Sequence, residues 1–504
     1  MLNPEPHRLL KRQLDKFLSF ETEITPDLAE LFRDISAAYQ NYDQELDLMR
    51  RALDENSVEL DGARRQIQAH LEEVQDLKSQ QDGDYFLTSL LINPLGGNNA
   101  RSNVASIHFY VNQIKKFRYR KWDFEIGGDM CISHSIRLYQ REYNVILNAD
   151  AMGKSMQGAA GALVLGAVFH SIITRTKNQE NMQRMYPEAW LRQVYQELHN
   201  VFTSFNGSML IACCVALLDT RTGLLYYIKA EHPQIVLYRN KQASFLHEPE
   251  SMDRIGLRTM DHYMQIHIFP LQPGDVILIG SDGRDDILLR DPASGEYDMN
   301  DDPALFLKHV QAADGVLADI VKRLERSGVF TDDVSLIRIQ FRGSADSNRK
   351  VDERLSGELS NRINDLRKLK GEHPEAVRER MERIEPADML DTTILIELYD
   401  LALELNAKTY ACLCALRYSE LQPEDTDFLL KLSALFYDLG DVGRAMEFTE
   451  RYCLRVPSNL EQLKNLLRLS IEVGRREKAL RVARQILMLN SEDAEARNYI
   501  IEME

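Results

Sequence analysis

A seven-residue repeat of apolar side chains constrains the N-terminal part of this chain more than any other feature. Two seam positions recur between residues 46 and 77. They are occupied by Leu46, Leu53, Leu60, Ile67 and Val74 on one side and by Met49, Asn56, Ala63, His70 and Leu77 on the other. A 3.5-residue period sustained over five heptads is typical of a coiled coil. The alternative is a long helix that packs on its own domain.

The residues around this repeat set the expected N-terminal boundaries. Thr25-Pro26-Asp27 fits a helix start, so residues 1–45 are predicted to form a helical segment. Residues 46–81 are predicted to form a coiled-coil helix for signalling or dimerisation, which implies a homodimer. Asn56 and His70 would be polar seam residues, which lower stability but can specify pairing and register.

Residues 82–342 have a different pattern, in which short apolar runs alternate with turns and a few long helical stretches. Strands are predicted at 143–148, 209–218, 224–230, 234–238, 264–269, 276–280 and 334–341, and helices at 155–175, 187–205 and 303–327. Thr220-Arg221-Thr222-Gly223 is predicted to be a hairpin turn between two of the strands. This composition favours an α+β layered domain.

The strand-like runs stop after residue 342. Residues 343–388 are predicted to form a charged helical linker, and residues 389–504 contain a 34-residue period. The matched positions are Leu398, Leu432 and Leu466; Asn406, Gly440 and Gly474; Ala411, Ala445 and Ala479; and Pro423 and Pro457. This pattern resembles the tetratricopeptide repeat (TPR), which has two helices per unit and a small residue where they cross. The resemblance implies an α-helical array whose concave face binds a protein partner.

Charge and composition exclude some classes of partner. The 61 Lys and Arg against 78 Asp and Glu leave a net charge of −17, which argues against nucleic acid and anionic membrane as main partners. The most apolar helical stretch, residues 159–173, is too short for a membrane span, and the N-terminus lacks the features of a secretion signal. The six cysteines fit no zinc or disulfide framework. We therefore expect a reduced, cytoplasmic protein.

Four acidic motifs follow one another in the middle region, each with an Asp beside a strand end or a turn. They are Glu125-Ile126-Gly127-Gly128-Asp129, Asp150-Ala151-Met152-Gly153-Lys154-Ser155, Gly280-Ser281-Asp282-Gly283 and Thr331-Asp332-Asp333. Carboxylates are hard oxygen ligands that suit Mg²⁺ or Mn²⁺. Two such ions can hold a hydroxide and clamp a phosphoryl group. A single Asp of this kind is more often a cap or turn residue, so the signal lies in the ordered set.

The set resembles the metal-dependent phosphatases of the protein phosphatase 2C (PP2C, or PPM) class, and more closely their bacterial branch typified by SpoIIE. The resemblance implies a central β-sandwich flanked by helices, with a two-metal site at one edge. It also implies hydrolysis of phosphoserine or phosphothreonine by metal-activated water, without a phosphoenzyme. A phosphorylated protein substrate, such as an anti-sigma-factor antagonist, is the partner it implies.

Site residues follow from the resemblance position by position. Asp129 and Asp150 match the first pair of ligands, with Asp129 bridging two Mn²⁺ or Mg²⁺ ions, and the carbonyl of Ala151 matches the next ligand. Asp282 and Asp332 match the remaining acidic ligands, and Asp332 is preferred over its neighbour Asp333. Glu231-His232-Pro233 matches a structural Gly-His-Pro turn.

The chain departs from the family pattern at three positions. Ile132 stands where branch members often have a second Asp, Ala151 replaces a common Gly, and Glu231 replaces the Gly before His-Pro. The first departure bears on the number and occupancy of the metal ions and not on the reaction class.

Three other signals lie near the acidic motifs. Cys131 and Arg137 have the spacing of a thiol phosphatase but lack its Gly-rich turn between them. Residues 115–122 (KKFRYRKW) form a basic and aromatic cluster, which is either a solvated strand face or a rim that attracts a phosphorylated protein towards Asp129. Lys154 is either an attractor for phosphate or an exposed lysine at a helix start.

The leading interpretation is a cytoplasmic signalling phosphatase. In it, the N-terminal helices dimerise or transmit a signal, the central domain dephosphorylates a partner protein, and the repeats select that partner. The alternative is a scaffold that keeps the phosphatase fold with little or no turnover and binds partners through the coiled coil and the repeats.

Overall fold

The computed structural model describes residues 5–17, 24–246, 252–257, 264–290, 295–343 and 353–503. The chain divides into two compact units, residues 1–83 and 84–504. The helices are α1 (Arg8–Phe17), α2 (Pro26–Ile92), α3 (Met156–Asn178), α4 (Glu180–Gln183), α5 (Pro187–Thr203), α6 (Leu305–Ala312), α7 (Leu317–Ser327), α8 (Glu353–Leu369), α9 (Pro374–Glu382), α10 (Thr392–Glu404), α11 (Lys408–Leu421), α12 (Phe428–Asp438), α13 (Val442–Arg455), α14 (Leu460–Glu472), α15 (Arg476–Leu489) and α16 (Ala494–Met503). The strands are β1 (Gly97–Asn99), β2 (Ala105–Asn112), β3 (Lys115–Tyr119), β4 (Trp122–Ile126), β5 (Asp129–Leu138), β6 (Arg141–Ala151), β7 (Ile211–Asp219), β8 (Leu224–Ala230), β9 (Val236–Arg239), β10 (Gln242–Phe245), β11 (His267–Pro270), β12 (Val276–Gly280), β13 (Ile287–Arg290), β14 (Tyr297–Met299), β15 (Gly328–Phe330) and β16 (Val334–Phe341).

The N-terminal unit consists mainly of the long helix α2. It begins at Pro26, as the sequence predicts, and continues for 67 residues to Ile92, past the boundary predicted after residue 81. The seam side chains Leu53, Leu60 and Ile67 are each 60–70% exposed in the single chain. The predicted N-terminal helix is therefore confirmed. An exposed seam is consistent with a coiled coil, and the coiled coil itself stays a prediction.

The central region is a sandwich of two sheets with helices on both outer faces. The six-stranded sheet has the order β1-β5-β6-β7-β8-β11, and the five-stranded sheet has the order β10-β9-β12-β16-β2. Apolar side chains such as Ile146 and Cys214 meet Ile277 and Ile337 between the sheets. This sheet-rich core between helices confirms the predicted architecture of the middle region.

Two further apolar layers attach the flanking helices to the sandwich. On one side, Leu165 of α3 and Trp190 of α5 pack on the six-stranded sheet. On the other, Phe306 of α6 and Ile320 of α7 pack on the five-stranded sheet. The stretch predicted to be too short for a membrane span belongs to α3. Contrary to that prediction, α3 is long and apolar enough to cross a membrane by length and composition, and half of its most apolar window is buried inside this fold.

The strands agree with the predictions where the sequence is continuously apolar. Strands β8, β12 and β16 have the predicted bounds, and β7 and β8 are joined at the predicted hairpin turn. The helix predicted at 303–327 is wrong, because it is divided into α6 and α7. Asp314 (φ 50°) and Gly315 (φ 66°) adopt left-handed backbone conformations between them, and an α-helix cannot continue through such residues.

The C-terminal region is helical throughout the residues that the structure describes from 353 to 503. The helices pack in successive pairs, α10 with α11, α12 with α13 and α14 with α15. Residues 34 positions apart occupy equivalent places in these pairs. Asn406, Gly440 and Gly474 have φ of 52°, 77° and 75° in the turns within the pairs, while Ala411, Ala445 and Ala479 are fully buried. The helical character is confirmed, and the assignment to the TPR stays a prediction.

The segment predicted as a linker is part of this helical core. Residues 344–352 near its start lie outside the described residues, and α8 and α9 follow. Ile363, Leu366, Val377 and Met381 on these helices are buried with the apolar side chains of α10 and α11. These apolar residues recur at helical spacing within the charged stretch, so α8 and α9 each have an apolar face that packs against the C-terminal helices.

The C-terminal helices pack directly on the sandwich through α13. Glu188 of α5 lies fully buried between Arg451 and Arg455 of α13. The backbone N–H of Ile266 donates a 2.8 Å hydrogen bond to the carbonyl of Leu454. These buried contacts join the two regions into one compact unit.

Candidate functional site

Strand pairing brings the four predicted aspartates to one edge of the sandwich. Asp129 begins β5 and is the register partner of Asp150 near the end of β6. In the other sheet, Asp282 follows the end of β12, and Asp332 precedes the start of β16. Since β12 and β16 are antiparallel neighbours with Gly280 opposite Leu336, these two turns are also adjacent. Four chain segments therefore converge at this edge, which we call the acidic site.

A side-chain hydrogen bond connects the two halves of the acidic site. Ser281 Oγ donates to Asp129 Oδ2 at 2.6 Å, and the N–H of Ser335 donates to Ser281 Oγ at 2.9 Å. The other carboxylate oxygen, Asp129 Oδ1, is buried and has no hydrogen-bond partner. A buried carboxylate oxygen without a donor is costly unless a cation compensates it.

The electrostatics of the site show carboxylates held close together. Burial first, and then the charges of Asp282 and Asp332, raise the pKa of Asp150 to about 7. Burial and the charge of Asp150 hold the pKa of Asp129 well above its ordinary value. Burial, Asp286 and Asp332 also raise the pKa of Asp282. This repulsion favours either protonation or the binding of a cation.

Asp333 has a different position from its neighbour Asp332. Its Oδ1 accepts a 2.7 Å hydrogen bond from the N–H of Ile114, and its Oδ2 accepts a 2.9 Å bond from the N–H of Gly128. Both oxygens are thus used to hold the backbone that carries Asp129. The half-buried Asp332 accepts only the N–H of Asp333 among the described contacts, which leaves it the freer of the two.

The backbone at the start of β5 approaches the end of β6 closely. The N–H of Ala151 donates to the carbonyl of Gly128 at 3.1 Å. A Cβ atom at Gly128 would overlap the carbonyl oxygen of Ala151. Glycine is therefore required here, and it leaves the Ala151 carbonyl at the edge of the acidic site.

Ile132 stands where the family pattern often has a second Asp. It is buried in the apolar layer between the six-stranded sheet and the helices, so this position supplies no carboxylate to the acidic site.

A buried polar network lies beneath the acidic site, and the sequence did not reveal it. Asn148 Nδ2 donates to Ser335 Oγ at 2.8 Å, and His232 Nε2 contacts Asn148 Oδ1 at 2.7 Å. Burial, followed by the charge of Arg284, lowers the pKa of His232 to about 3, so this imidazole is neutral. The network runs through Ser281 to Asp129, and it gives His232 of the Glu-His-Pro turn a structural role.

Arg254 is a second residue that sequence reasoning missed. Its Nε lies 3.2 Å from Glu231 Oε2, and its positive charge opposes the rise in the pKa of both Asp150 and Asp282. No local motif marks this residue, because its closeness to the acidic site depends on how the segment 252–257 folds. The backbone of Ile255 pairs with Ile211 at the start of β7.

The structure also shows the surroundings of the three remaining sequence signals, which are Cys131, the basic cluster 115–122 and Lys154. Burial raises the pKa of Cys131 to about 12, which is unsuited to a thiolate nucleophile. The basic cluster 115–122 forms a hairpin of β3 and β4 and not one strand, because Arg120 (φ 57°) turns the chain. Phe117 is buried on one face, and Lys116 and Arg118 are exposed on the other. Lys154 is exposed, and its charge acts on Asp333.

The donor set at the acidic site suits a divalent cation in chemistry and charge. All the donors are hard oxygens, and one of them is a buried carboxylate oxygen without a partner. Among the residues that the structure describes, no three His, Cys, Asp or Glu side chains already surround a single point that a metal ion would occupy. The residues therefore fit a divalent cation by the chemistry of their donor atoms.

Comparison with known proteins identifies the domain type. Residues 140–342 match the family model described as Stage II sporulation protein E (SpoIIE). This match agrees with the predicted SpoIIE-type domain for residues 140–342, and it includes the segments of Asp150, Asp282 and Asp332. No curated protein matches the chain.

Three solved structures are similar at low identity. The RsbU and RsbW domains of Rv1364c from Mycobacterium tuberculosis are 20% identical, with 49% of this chain and 62% of that chain covered and a TM-score of 0.37. The PP2C domain and regulatory fragment of SpoIIE from Bacillus subtilis are 14% identical, covering 48% and 64%, with a TM-score of 0.35. The catalytic domain of the phosphatase PstP, in complex with two manganese ions, is 14% identical, covering 48% and 99%, with a TM-score of 0.32. This chain therefore covers less than two thirds of the Rv1364c structure and of the SpoIIE structure.

Proposed function

We propose that the central domain is a metal-dependent serine/threonine protein phosphatase. The observation that carries the proposal is the convergence of Asp129, Asp150, Asp282 and Asp332 at one edge of the sandwich. Three of the four lie inside the segment that matches the SpoIIE family model. Each carboxylate is a poor hydrogen-bond partner for the others, so their closeness is best explained by a shared cation.

Two Mn²⁺ or Mg²⁺ ions are the proposed cofactors. Asp129, Asp150, Asp282, Asp332 and the carbonyl of Ala151 would hold them. Bound ions of this kind supply a nucleophilic hydroxide at neutral pH and neutralise charge on a phosphoryl group. Asp150 interacts with Asp129, Asp282 and Asp332, whereas Ser281 occupies one oxygen of Asp129. Asp129 Oδ1, which is buried and has no hydrogen-bond partner among the described residues, would be the oxygen that Asp129 offers to an ion.

The chain's own residues position the reacting groups in this proposal. Ser281 fixes the rotamer of Asp129, and Asp333 fixes the backbone of Gly128 beside it. Arg254 and the exposed Lys154 are the nearby cations available to orient an incoming phosphoryl oxygen. The basic face of the β3–β4 hairpin would attract a negatively charged phosphoprotein.

The proposed substrate is a protein that carries phosphoserine or phosphothreonine, and an anti-sigma-factor antagonist is the candidate. The C-terminal helices, as TPR-like repeats, would select a protein partner, and α2 would form a homodimer through its exposed seam. We place the protein in the cytoplasm, with neither nucleic acid nor an anionic membrane as its main partner, on the basis of its charge of −17 and its six free cysteines.

Hydrolysis of a chromogenic phosphate ester by the full-length chain tests the proposal. We expect activity with Mn²⁺ that disappears in chelator and falls at least ~100-fold in Asp129→Asn and Asp150→Asn. Asp298→Asn, on exposed β14, is the matched control and keeps wild-type activity. Near-wild-type turnover in metal-loaded Asp150→Asn refutes the assignment. No hydrolysis with any divalent metal, beside intact partner binding, favours the scaffold alternative.

A further inference from the structure

A cleft lies where the sandwich meets the C-terminal helices. Its volume is about 500 Å³, and its walls are α5, the segment 252–257 and the helices α13 to α15. Clefts of ~300–1,000 Å³ at the junction of two domains are the usual places for small-molecule binding. A cleft of this size is much larger than a single phosphate ion needs.

The charged side chains of the cleft are unevenly balanced. Arg192 and Lys478 approach it from opposite walls and bond to the two oxygens of one buried carboxylate, Glu450, with Lys478 Nζ at 2.7 Å. Arg481 lies beside them on the same helix as Lys478. The fourth cation of the lining, Arg254, pairs with Glu231 outside it. The cleft therefore brings three cations, Arg192, Lys478 and Arg481, close to the single buried carboxylate of Glu450.

The ionisation of Lys478 reflects the closeness of the other two cations. Burial lowers its pKa, and the charges of Arg192 and Arg481 lower it further, so that Glu450 does not restore the ordinary value. An anion bound beside these cations would relieve the repulsion between them.

Aromatic side chains form another part of the wall. The rings of Tyr195 and His199, one turn apart on α5, stack with their centroids 5.6 Å apart, and both residues line the cleft. A pair of stacked rings at the margin of an anion site offers a face to a planar ring of the ligand.

We propose that this cleft binds a nucleoside phosphate, with its phosphates at Arg192, Lys478 and Arg481 and its base against Tyr195. The site is separate from the acidic site and does not depend on the phosphatase proposal. Arg254 lines the cleft and also acts on Asp150 and Asp282. The ligand is therefore placed to adjust the acidic site, by competing for this guanidinium.

Calorimetric titration of the full-length chain in chelator, without divalent metal, tests the site. Under these conditions the acidic site repels anions, so binding reports the cleft. We expect ATP to bind more tightly than pyrophosphate. Arg481→Gln and Lys478→Met should each weaken both ligands at least ten-fold, whereas Tyr195→Leu should weaken ATP and spare pyrophosphate. Arg468→Gln, whose side chain pairs with Glu495 on α16's first turn, is the control and keeps wild-type affinity.

Three results would overturn the proposal. They are no binding of ATP or pyrophosphate at millimolar concentration, equal affinity in wild type and in both cation variants, and binding of a phosphoserine peptide alone. If one cation variant is unfolded by circular dichroism, the other and Tyr195→Leu still decide the question.

Discussion

Ser281 Oγ donates a 2.6 Å hydrogen bond to Asp129 Oδ2, and this bond joins a turn of the five-stranded sheet to the first residue of β5 in the six-stranded sheet. Both residues are buried. Because the bond satisfies one oxygen of Asp129 and leaves the other without a partner, it fixes the direction in which the free oxygen points. Ser281 therefore positions Asp129 and not Asp282, its neighbour in the sequence.

Replacing this serine should loosen Asp129 without removing any carboxylate. A hydrogen bond to a charged group contributes about 1.5–3 kcal/mol, so Ser281→Ala should lower ester hydrolysis by about 10–100-fold. The apparent affinity for Mn²⁺ should fall as well. Metal-dependent steady-state kinetics measure both effects.

The control for this prediction is Ser327→Ala, because the Ser327 hydroxyl donates its hydrogen bond to the carbonyl of Leu324 in its own helix. Its kinetics should match the wild type. If Ser281→Ala also shows unchanged kinetics and metal affinity, the hydrogen bond does not position Asp129 for the reaction.

The sequence predicted those parts of the site and fold that local pattern determines. Strands β12 and β16 are continuous apolar runs. The four aspartates stand at or near strand ends, and two of them, Asp129 and Asp282, are next to a glycine. Strand β5 was missed because buried polar residues, Ser133 and His134, interrupt its apolar pattern. The partners of Asp129 and the closeness of Arg254 depend on contacts between residues far apart in the chain, which no local spacing encodes.

The buried charge of Glu188 should be essential to the packing of α13 on the sandwich. Its carboxylate accepts hydrogen bonds from Arg451 Nε at 3.1 Å and from Arg455 Nε at 3.0 Å. Removing one partner of a buried ion pair costs about 3–5 kcal/mol, because the remaining charges stay buried. We expect Glu188→Gln to lower the free energy of unfolding by about this amount, measured by urea denaturation. Glu358→Gln, in an exposed pair with Arg354, should change it by less than ~1 kcal/mol.

The same carboxylate predicts a dependence of stability on pH. Burial alone would raise the pKa of Glu188, but Arg451 and Arg455 outweigh burial and lower it to about 2. A carboxylate with a lowered pKa stabilises the fold above its unfolded pKa of ~4.3, and this contribution is lost as the pH falls towards 2. The stability difference between wild type and Glu188→Gln should be constant above pH ~5 and shrink below it. A difference that stays constant down to pH ~2.5 would contradict the assigned ion pair.

The crossing of α12 and α13 should not tolerate a larger side chain. Ala445 is fully buried there, and its carbonyl accepts a 2.9 Å hydrogen bond from Ser433 Oγ. Overpacking costs about 1–3 kcal/mol, so Ala445→Leu should destabilise the C-terminal region or weaken partner binding while sparing hydrolysis of a small ester. Thermal unfolding and ester kinetics measure the two effects. Ala494→Leu, at an exposed site of the same region, is the control, and equal loss of ester hydrolysis would show that the two regions are not separable.

The exposed seam of α2 should mediate pairing of two chains. Leu53 and Leu60 are 62% and 70% exposed and lie one heptad apart, with Asn56 on the other seam position between them. In a parallel dimer the two Asn56 side chains would bond to each other and favour two strands in register. We therefore expect Leu53→Asp with Leu60→Asp to convert a dimer into a monomer.

Sedimentation of the full-length chain at micromolar concentration decides between pairing and a solitary helix. The matched control is Leu48→Asp with Val58→Asp, since these residues are equally exposed, at 65% and 73%, but lie off the seam on the same helix. The control should remain a dimer, because its charges are added where a coiled coil is solvated. A monomeric wild type, or a dimer that survives the seam variant, would mean that α2 does not pair through these leucines, and the homodimer should then be abandoned.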